Sequence, residues 1–313
     1  MKADVPPSPF RLRSDARLDV VGFGFNTHDH VCVVRRPGGL GTKQRLRTYQ
    51  QMPGGQVPTA LVALQRWGLR TGYVGPFGDD AGGRAQLAAL AAEGIELSGC
   101  RTRTATASQT SVILVDEASG ERTVLWSRPD GLALSADELD RASLTAGRAL
   151  LLDAADVATA RLAASWARAA GVLVMLDIDE PGPQTDALLR HSDAVIVAGQ
   201  FARQYTGAAD LRGALRAITV HGPPLAAATL GAGGAVASLA GRIVYVPPVR
   251  VAVVDTTSAG DLFHAGCLYG LLHGWDPERA LRFASAAAAL ACTILGGRPS
   301  VPPLSAVRDL AGV

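Results

Sequence analysis

The chain has 313 residues, 48% hydrophobic and 19% charged, enough apolar surface for one large α/β domain or two smaller ones and too much for a disordered polypeptide. Thirty basic against 28 acidic residues leave a formal charge of +2; that field does not suit a nucleic-acid backbone, so a small-molecule ligand is expected. Only Lys2 and Lys43 are lysine, and neither falls in a GxxxxGK[ST] loop or a VAIK strand, which sets aside P-loop ATPases, protein kinases and Schiff-base enzymes.

In chain order, residues 1–18 are polar and Pro-containing and read as a loose arm. Residues 19–25 (DVVGFGF) predict a buried first strand, and residues 28–34 alternate polar and apolar as a second strand does. Leu61, Leu64 and Trp67 recur at helical spacing over residues 58–67 with Gly68 behind them, and a short strand follows at residues 71–74. A helix over residues 84–92 is stopped by Gly94, a left-handed C-terminal cap. Residues 102–126 turn to Thr, Ser and Val around a bend at residues 118–121, the pattern of a β insertion. Strands at residues 149–152, 172–178 and 194–197 alternate with helical stretches such as 158–170, which argues for βαβ units and a parallel sheet covered on both faces. The last helix is read from Asp276 as N-cap and Pro277 at its first position, with Ala280, Phe283, Ala287, Leu290 and Ile294 on one side.

Cys32, Cys100, Cys267 and Cys292 are widely spread without a CxxC pair, as expected of reduced structural thiols in a cytoplasmic protein. The first twenty residues lack the apolar core of a signal peptide. The longest apolar run, residues 283–295, falls short of the roughly 18 residues a membrane span needs, so no membrane partner is expected.

Chemistry concentrates in residues 253–270, VVDTTSAGDLFHAGCLYG, where an apolar strand is expected to reach Asp255 and a helix to start near Ala259. The N–H groups of Ser258, Ala259 and Gly260 then stand at a helix N-terminus, free of intrahelical partners and helped by about half a positive charge from the macrodipole. Asp261 sits in that first turn, where a carboxylate can take the proton of an attacking hydroxyl. Cradle and base together suit phosphoryl transfer, which asks chiefly for alignment and charge stabilisation. For a bare SAGD, a helix cap beside a tight turn is the competing reading.

The longer string DTTSAGDLF resembles the C-terminal signature DTxGAGDxF of PfkB/ribokinase carbohydrate kinases. Residues 52–68 (MPGGQVPTALVALQRWG) with residues 73–82 (YVGPFGDDAG) resemble the family's N-terminal signature, residues 229–234 (TLGAGG) its nucleotide loop, and residues 296–302 (GGRPSVP) its closing segment. The resemblance implies a single three-layer α/β/α domain over residues 1–313 with a mainly parallel sheet and a small β lid, from about residues 30–50 and 102–126. It implies ATP with Mg²⁺, γ-phosphate transfer to a sugar-type hydroxyl, Asp261 as base, and Ser258, Ala259 and Gly260 as anion hole. Thr229, Gly231, Gly234, Thr256 and Gly260 would contact the nucleotide. Asp29, with Asn26 beside it, would hold substrate hydroxyls, and Gly54, Gly55 and Gln56 would line the sugar pocket. The lid implies a homodimer. A monovalent cation near Asp255 and Thr257 is left open.

Three departures stand out. Ser258 replaces a glycine of GAGD, Thr59 the asparagine of GGxxxN, and Ala198 and Phe201 the Asn and Glu of N-x-x-E. They lean toward ketohexokinase-like and sulfosugar-kinase-like branches and away from ribokinase proper. A nucleoside kinase and a non-catalytic binding protein remain alternatives. A dinucleotide fingerprint at residues 22–27 (GFGFNT) lacks its third glycine and its acid about 20 residues on. His28 and His30 share a strand face with no nearby Cys or Glu, so no metal ligand is assigned. Asp79 and Asp80 fit either substrate contact or a turn and helix cap. Arg35, Arg36, Arg122 and Arg128 lie in or near the lid, where solvated surface and contact with an anionic substituent are both open.

Overall fold

The computed structural model describes residues 10–313. Its strands are β1 (Leu18–Phe23), β2 (Thr27–Val34), β3 (Thr48–Gly54), β4 (Thr71–Val74), β5 (Pro76–Gly78), β6 (Arg101–Arg103), β7 (Thr110–Asp116), β8 (Arg122–Ser127), β9 (Gly147–Asp153), β10 (Leu173–Asp177), β11 (Ala194–Ala198), β12 (Leu225–Thr229), β13 (Ala235–Leu239) and β14 (Arg242–Val246). Eight form one sheet in the order β14-β13-β12-β11-β10-β9-β1-β4. Pairing is parallel from β4 through β12 and antiparallel across β12-β13-β14. The sheet is thus mixed at one edge, where short turns replace the helical crossovers that parallel strands require.

Helices α1 (Gln56–Arg66), α2 (Ala81–Ala92), α3 (Arg141–Leu144), α4 (Val157–Ala169), α5 (Thr185–Arg190), α6 (Gly199–Thr206), α7 (Leu211–Val220), α8 (Ala259–Leu272), α9 (Pro277–Ala291) and α10 (Leu304–Ala311) supply the cover. Alternate residues of each central strand feed opposite cores. On β9, Ala149 and Leu151 join the core under α1, α8 and α9, whereas Leu150 and Leu152 join the core under α3 to α7. This two-sided burial explains why these strands read as continuous apolar runs. Trp67, Tyr269 and Phe283 pack ring on ring, 5.1–5.8 Å between centroids, where α1, α8 and α9 meet. Trp166 is only partly buried and lies beneath the Arg141 guanidinium.

A second sheet, β3-β2-β7-β8, stands off the first. β7 and β8 are the expected hairpin, and β2 lies between β3 and β7. The lid segments enter this sheet with shifted ends: its first two strands span Thr27–Gly54, and Thr102 instead belongs to β6, paired with β5.

Several expectations need correction. Residues 251–254 form no strand, and Val253 and Val254 are exposed; the turn around Gly120 packs onto them instead. α9 starts as read, with Asp276 accepting from Arg279 N at 3.0 Å, but it ends at Ala291, leaves Ile294 exposed and is followed by α10. α2 begins at Ala81, capped by Asp80. Residues 1–9 of the expected arm lie outside the described residues. The rest is tied down: Phe10 and Leu12 pack on the core and Arg13 donates to Thr145 O at 3.2 Å. All four cysteines are free thiols.

Candidate active site

The site is built where the parallel strands end. In-register pairing sets Asp153 beside Asp177 at the carboxyl ends of β9 and β10, and Ala198 beside Thr229 at those of β11 and β12. Open α/β sheets bind ligands just outside this edge.

α8 starts at Ala259, directly after the turn that Asp255 shapes. Asp255 is buried and accepts from the N–H and hydroxyl of Thr257 through Oδ1 and from Gly296 N through Oδ2, the last at 2.8 Å. The three proposed cradle amides are not equivalent. Ala259 N–H is spent on Thr256 O at 3.3 Å, whereas the N–H groups of Ser258 and Gly260 have no partner among the described residues. A Cβ on Gly260 would meet nothing within 4 Å, so open space faces that amide. The Ser258 hydroxyl is tied to Ser300 Oγ at 2.6 Å.

Asp261 lies in the first turn of α8. Desolvation and the neighbouring carboxylates of Asp179 and Asp29 push it well above the usual carboxylate range, against the pull of Arg122. A carboxylate whose proton affinity is raised in this way is a better base for an alcohol. Below it, His264 replaces solvent. Its Nδ1 faces Gly260 O at 2.9 Å, and its Nε2 faces Ile196 O at 3.2 Å and Asp177 Oδ1 at 3.4 Å. The ring thus lies between the helix start and β11, with one N–H to donate to either carbonyl while it is neutral.

The residues expected on the acceptor side lie on and beside β2 and β3. Asp29 is buried, with Oδ1 unpartnered and its carboxyl pushed up to about 7 by desolvation, against the Thr27 and Ser111 hydroxyls and the charge of Arg298. Gly54 lies against it. Gly55, at φ 96°, caps α1 where a side chain would strike Phe25 O; Gln56 follows it, partly exposed. Asn26, by contrast, uses its side-chain nitrogen on Tyr73 Oη at 3.0 Å and Pro76 O at 2.7 Å, which buttresses the turn and leaves only its oxygen for a ligand.

On the nucleotide side, Thr229 ends β12, and Gly231 (φ 54°) and Gly234 (φ 83°) bound an exposed turn closed by Leu230 N donating to Gly234 O at 2.8 Å. Thr256 is committed elsewhere: its N–H and hydroxyl both donate to Gly120 O, at 3.0 and 3.1 Å. The lid hairpin therefore docks on the segment leading into α8. Arg122, one of the lid arginines singled out in the sequence, donates to Thr256 Oγ1 at 3.1 Å and acts electrostatically on Asp261 and Asp179. Arg128 instead forms a bidentate pair with Asp156 at 2.9 and 2.6 Å.

Other candidates resolve into structure. Asp80 accepts from Gly83 N and Ser108 N, and Asp79 from Ala105 N, so both serve the turn. His28 and His30 meet Gln51 and Tyr49. Phe201 is buried and stacks on Tyr205, and Ala198 is exposed; where the motif's glutamate would stand, the chain has core. No signal in the sequence marked Arg298, buried beside the acceptor site, beyond its place in the closing segment.

A helix N-terminus with open amides, a carboxylate in its first turn and a second buried carboxylate beside a glycine pair form an arrangement that suits an alcohol phosphotransferase. The comparisons give the family. The model of the pfkB family carbohydrate kinases matches residues 19–303, and the chain belongs to that family. A ribokinase of Haemophilus influenzae is 30% identical over 284 residues, 88% of this chain and 92% of that protein. A fructokinase of Klebsiella pneumoniae is 30% identical over 276 residues, 80% of this chain and 89% of that protein. Among solved structures, a putative ribokinase from Agrobacterium tumefaciens superposes with a TM-score of 0.87 at 26% identity, covering 94% of this chain and 97% of that one. The fold is ribokinase-like, and the protein is an ATP-dependent carbohydrate kinase.

Proposed function

We propose that the acceptor is a monosaccharide or sugar derivative whose hydroxyls are held by Asp29 and whose attacking hydroxyl is deprotonated by Asp261. The observation that carries this reading is the pairing of the open amides of Ser258 and Gly260 with Asp261 in the same turn. In the proposed step Asp261 takes the hydroxyl proton as the oxygen attacks the γ-phosphorus of ATP, the bond from that phosphorus to the β,γ-bridging oxygen breaks and ADP leaves with the electron pair, and charge growing on the transferred group falls on the open amides and the helix dipole. Ala259 N–H, already bonded, contributes through the dipole alone. Arg122, reaching over from the lid, adds a positive charge on the same side. The turn carrying Thr229, Gly231 and Gly234 exposes backbone at the same sheet edge and suits the nucleotide.

Magnesium would arrive on the ATP phosphates and needs only one or two protein carboxylates. Among the described residues no three metal-ligating side chains converge, and Asp179, exposed at the rim near Arg122, is the carboxylate that fits. When bound, the metal supplies neutralisation of phosphate charge.

We also propose a homodimer through the lid. Val124, Leu125 and Trp126 on the edge strand β8 are exposed, Trp126 at 68%, as is Tyr49 on the opposite edge strand β3. An apolar open edge of this kind is a pairing surface, and a second copy of the same lid covers it.

The test is a panel of ketoses, pentoses, deoxy acids, sulfosugars and nucleosides scored for ADP release with Mg²⁺-ATP. Stimulation by a sugar, abolished in Asp29→Ala, supports the reading. ATP binding with no stimulation by any member overturns it in favour of a non-catalytic binder, and stimulation by nucleosides alone overturns the acceptor class.

A further inference from the structure

Arg298 opens the short 3₁₀ turn Arg298–Ser300 and is 6% exposed. Its guanidinium makes one side-chain hydrogen bond, Nη2 to Gly54 O at 3.1 Å, while Nε and Nη1 are buried without partners. Gly54 is the residue against which Asp29 packs, and Asp29 Oδ1 is likewise buried and unpartnered. A buried cation and a buried anion, each short of partners, thus stand on either side of one glycine. Such groups are costly alone, and an opposite charge nearby offsets part of that cost.

The turn that carries Arg298 is itself held at several points. Gly296 N donates to Asp255 Oδ2, Ser300 Oγ meets Ser258 Oγ, Arg66 Nη1 donates to Arg298 O at 3.2 Å, and Trp67 Nε1 donates to Pro302 O at 2.9 Å. The guanidinium therefore sits on a fixed support.

We propose that Arg298 is a positioning residue of the acceptor site: from behind Gly54 its charge favours the ionised Asp29 carboxylate and its N–H holds the Gly54 carbonyl in place, so that Asp29 can accept acceptor hydroxyls. This rests on the reading of Asp29 given above. Burial lowers Arg298 to about 10, which leaves it cationic at neutral pH. The groups facing Asp29 are the hydroxyls of Thr27 and Ser111, the guanidinium of Arg298 and, across the cleft, the carboxyl of Asp261. Of these only Arg298 carries a positive charge. His28 and His30, its neighbours on β2, point to the other face of the strand, toward Gln51 and Tyr49. Arg298 is faced in turn by Tyr73, Glu93 and Arg66.

The experiment reads the Asp29 carboxyl directly. Its protonated C=O stretch is isolated as the infrared difference between each protein and its Asp29→Asn counterpart, and is titrated in wild type, Arg298→Gln and Arg298→Lys. Gln keeps a donor for Gly54 O without the charge; Lys keeps the charge. The expected midpoint is about 7 in wild type, about one to three pH units higher in Arg298→Gln, and within roughly half a unit of wild type in Arg298→Lys. In kinetics, Arg298→Gln raises the acceptor KM about tenfold near neutrality and recovers at alkaline pH, with kcat and the KM for ATP unmoved.

A folded Arg298→Gln whose midpoint matches wild type overturns the proposal. So does a wild-type Asp29 still protonated at about pH 9, a result that decides the matter even where Arg298→Gln fails to fold. A role limited to packing would lower the melting temperature without moving either midpoint. If Asp29→Asn keeps its acceptor KM, the acceptor reading fails, and the infrared midpoints still judge Arg298 by themselves.

Discussion

Gly54 stands so close to Asp29 that a Cβ placed on it would fall 1.9 Å from Asp29 Oδ2. No side chain fits there without displacing the carboxylate. The paired glycines therefore do separate jobs: Gly54 admits Asp29, and Gly55 turns the chain into α1 at a φ of 96°. Gly54→Ala is expected to raise the acceptor KM by at least about tenfold, since hydroxyls held by a misplaced carboxylate lose about 1.4 kcal/mol or more. The KM for ATP should stay within about twofold. Steady-state kinetics with the acceptor found in the panel check this, and an unchanged acceptor KM in a folded protein refutes it.

Asp261→Asn keeps the size of the side chain and removes the base. ATP binding, measured by calorimetry, should stay close to wild type, because the open amides and the nucleotide turn are untouched. Turnover should fall by at least about 10²-fold, the scale of a lost general base. Near-normal turnover would take Asp261 out of the proposed step.

Arg122 reaches Thr256 from the lid while acting on Asp261 from a distance. Arg122→Gln is expected to lower kcat/KM for ATP by about tenfold to a hundredfold, because one charge near the phosphates is lost in a partly desolvated cleft. It should leave the acceptor KM near wild type. The opposite pattern, with acceptor affinity lost and ATP kinetics intact, would place Arg122 on the acceptor and point to an anionic substituent.

Much of this arrangement was legible in the sequence, for physical reasons that also mark where legibility ends. Strands buried on both faces announce themselves as apolar runs, and α9 carried its own cap and proline. The start of α8 at Ala259 was visible because small residues precede it. Local pattern was silent where a residue's partner lies far along the chain. Val253 and Val254 read as a strand, yet they form none and stay exposed, with the turn at Gly120 against them. Thr256 read as a nucleotide contact, yet Gly120 O takes both its donors. Asn26 and Arg298 are similar cases, since Pro76, Tyr73 and Gly54 become their neighbours only once the fold is closed.

The lid edge makes a prediction about assembly. Trp126 is 68% exposed on β8, next to Leu125 at 57%, and an edge strand with such side chains stays soluble by pairing. Wild type should run as a dimer in light scattering, and Trp126→Asp, by burying a charge in the interface, should shift it to monomer at micromolar concentration. A wild type that is monomeric at all concentrations removes the lid as an interface.

His264 lies between the start of α8 and β11, and its burial has a measurable cost in acid. Desolvation lowers it from 6.5 to about 4, so the folded protein holds it neutral where the unfolded chain would already have bound a proton. Its contribution to stability is therefore complete above pH 6.5 and is lost as pH falls toward 4. The size of that loss is about 3 kcal/mol at 1.36 kcal/mol per pH unit. Asp29 and Asp153, both raised to about 7, work in the other direction: they bind protons in the folded state first, so their contribution grows as pH falls through 7. Wild-type stability alone mixes the two effects, and a difference separates them. His264→Gln should be destabilised relative to wild type at pH 7, having lost the ring packing and the single N–H bond that a neutral imidazole gives to Gly260 O or Ile196 O. That deficit should shrink by about 3 kcal/mol between pH 7 and pH 4 in urea unfolding. A deficit constant across this range would mean that His264 enters the folded state already charged, shared with Asp177 as an ion pair, and the cradle would then rest on a buried charge.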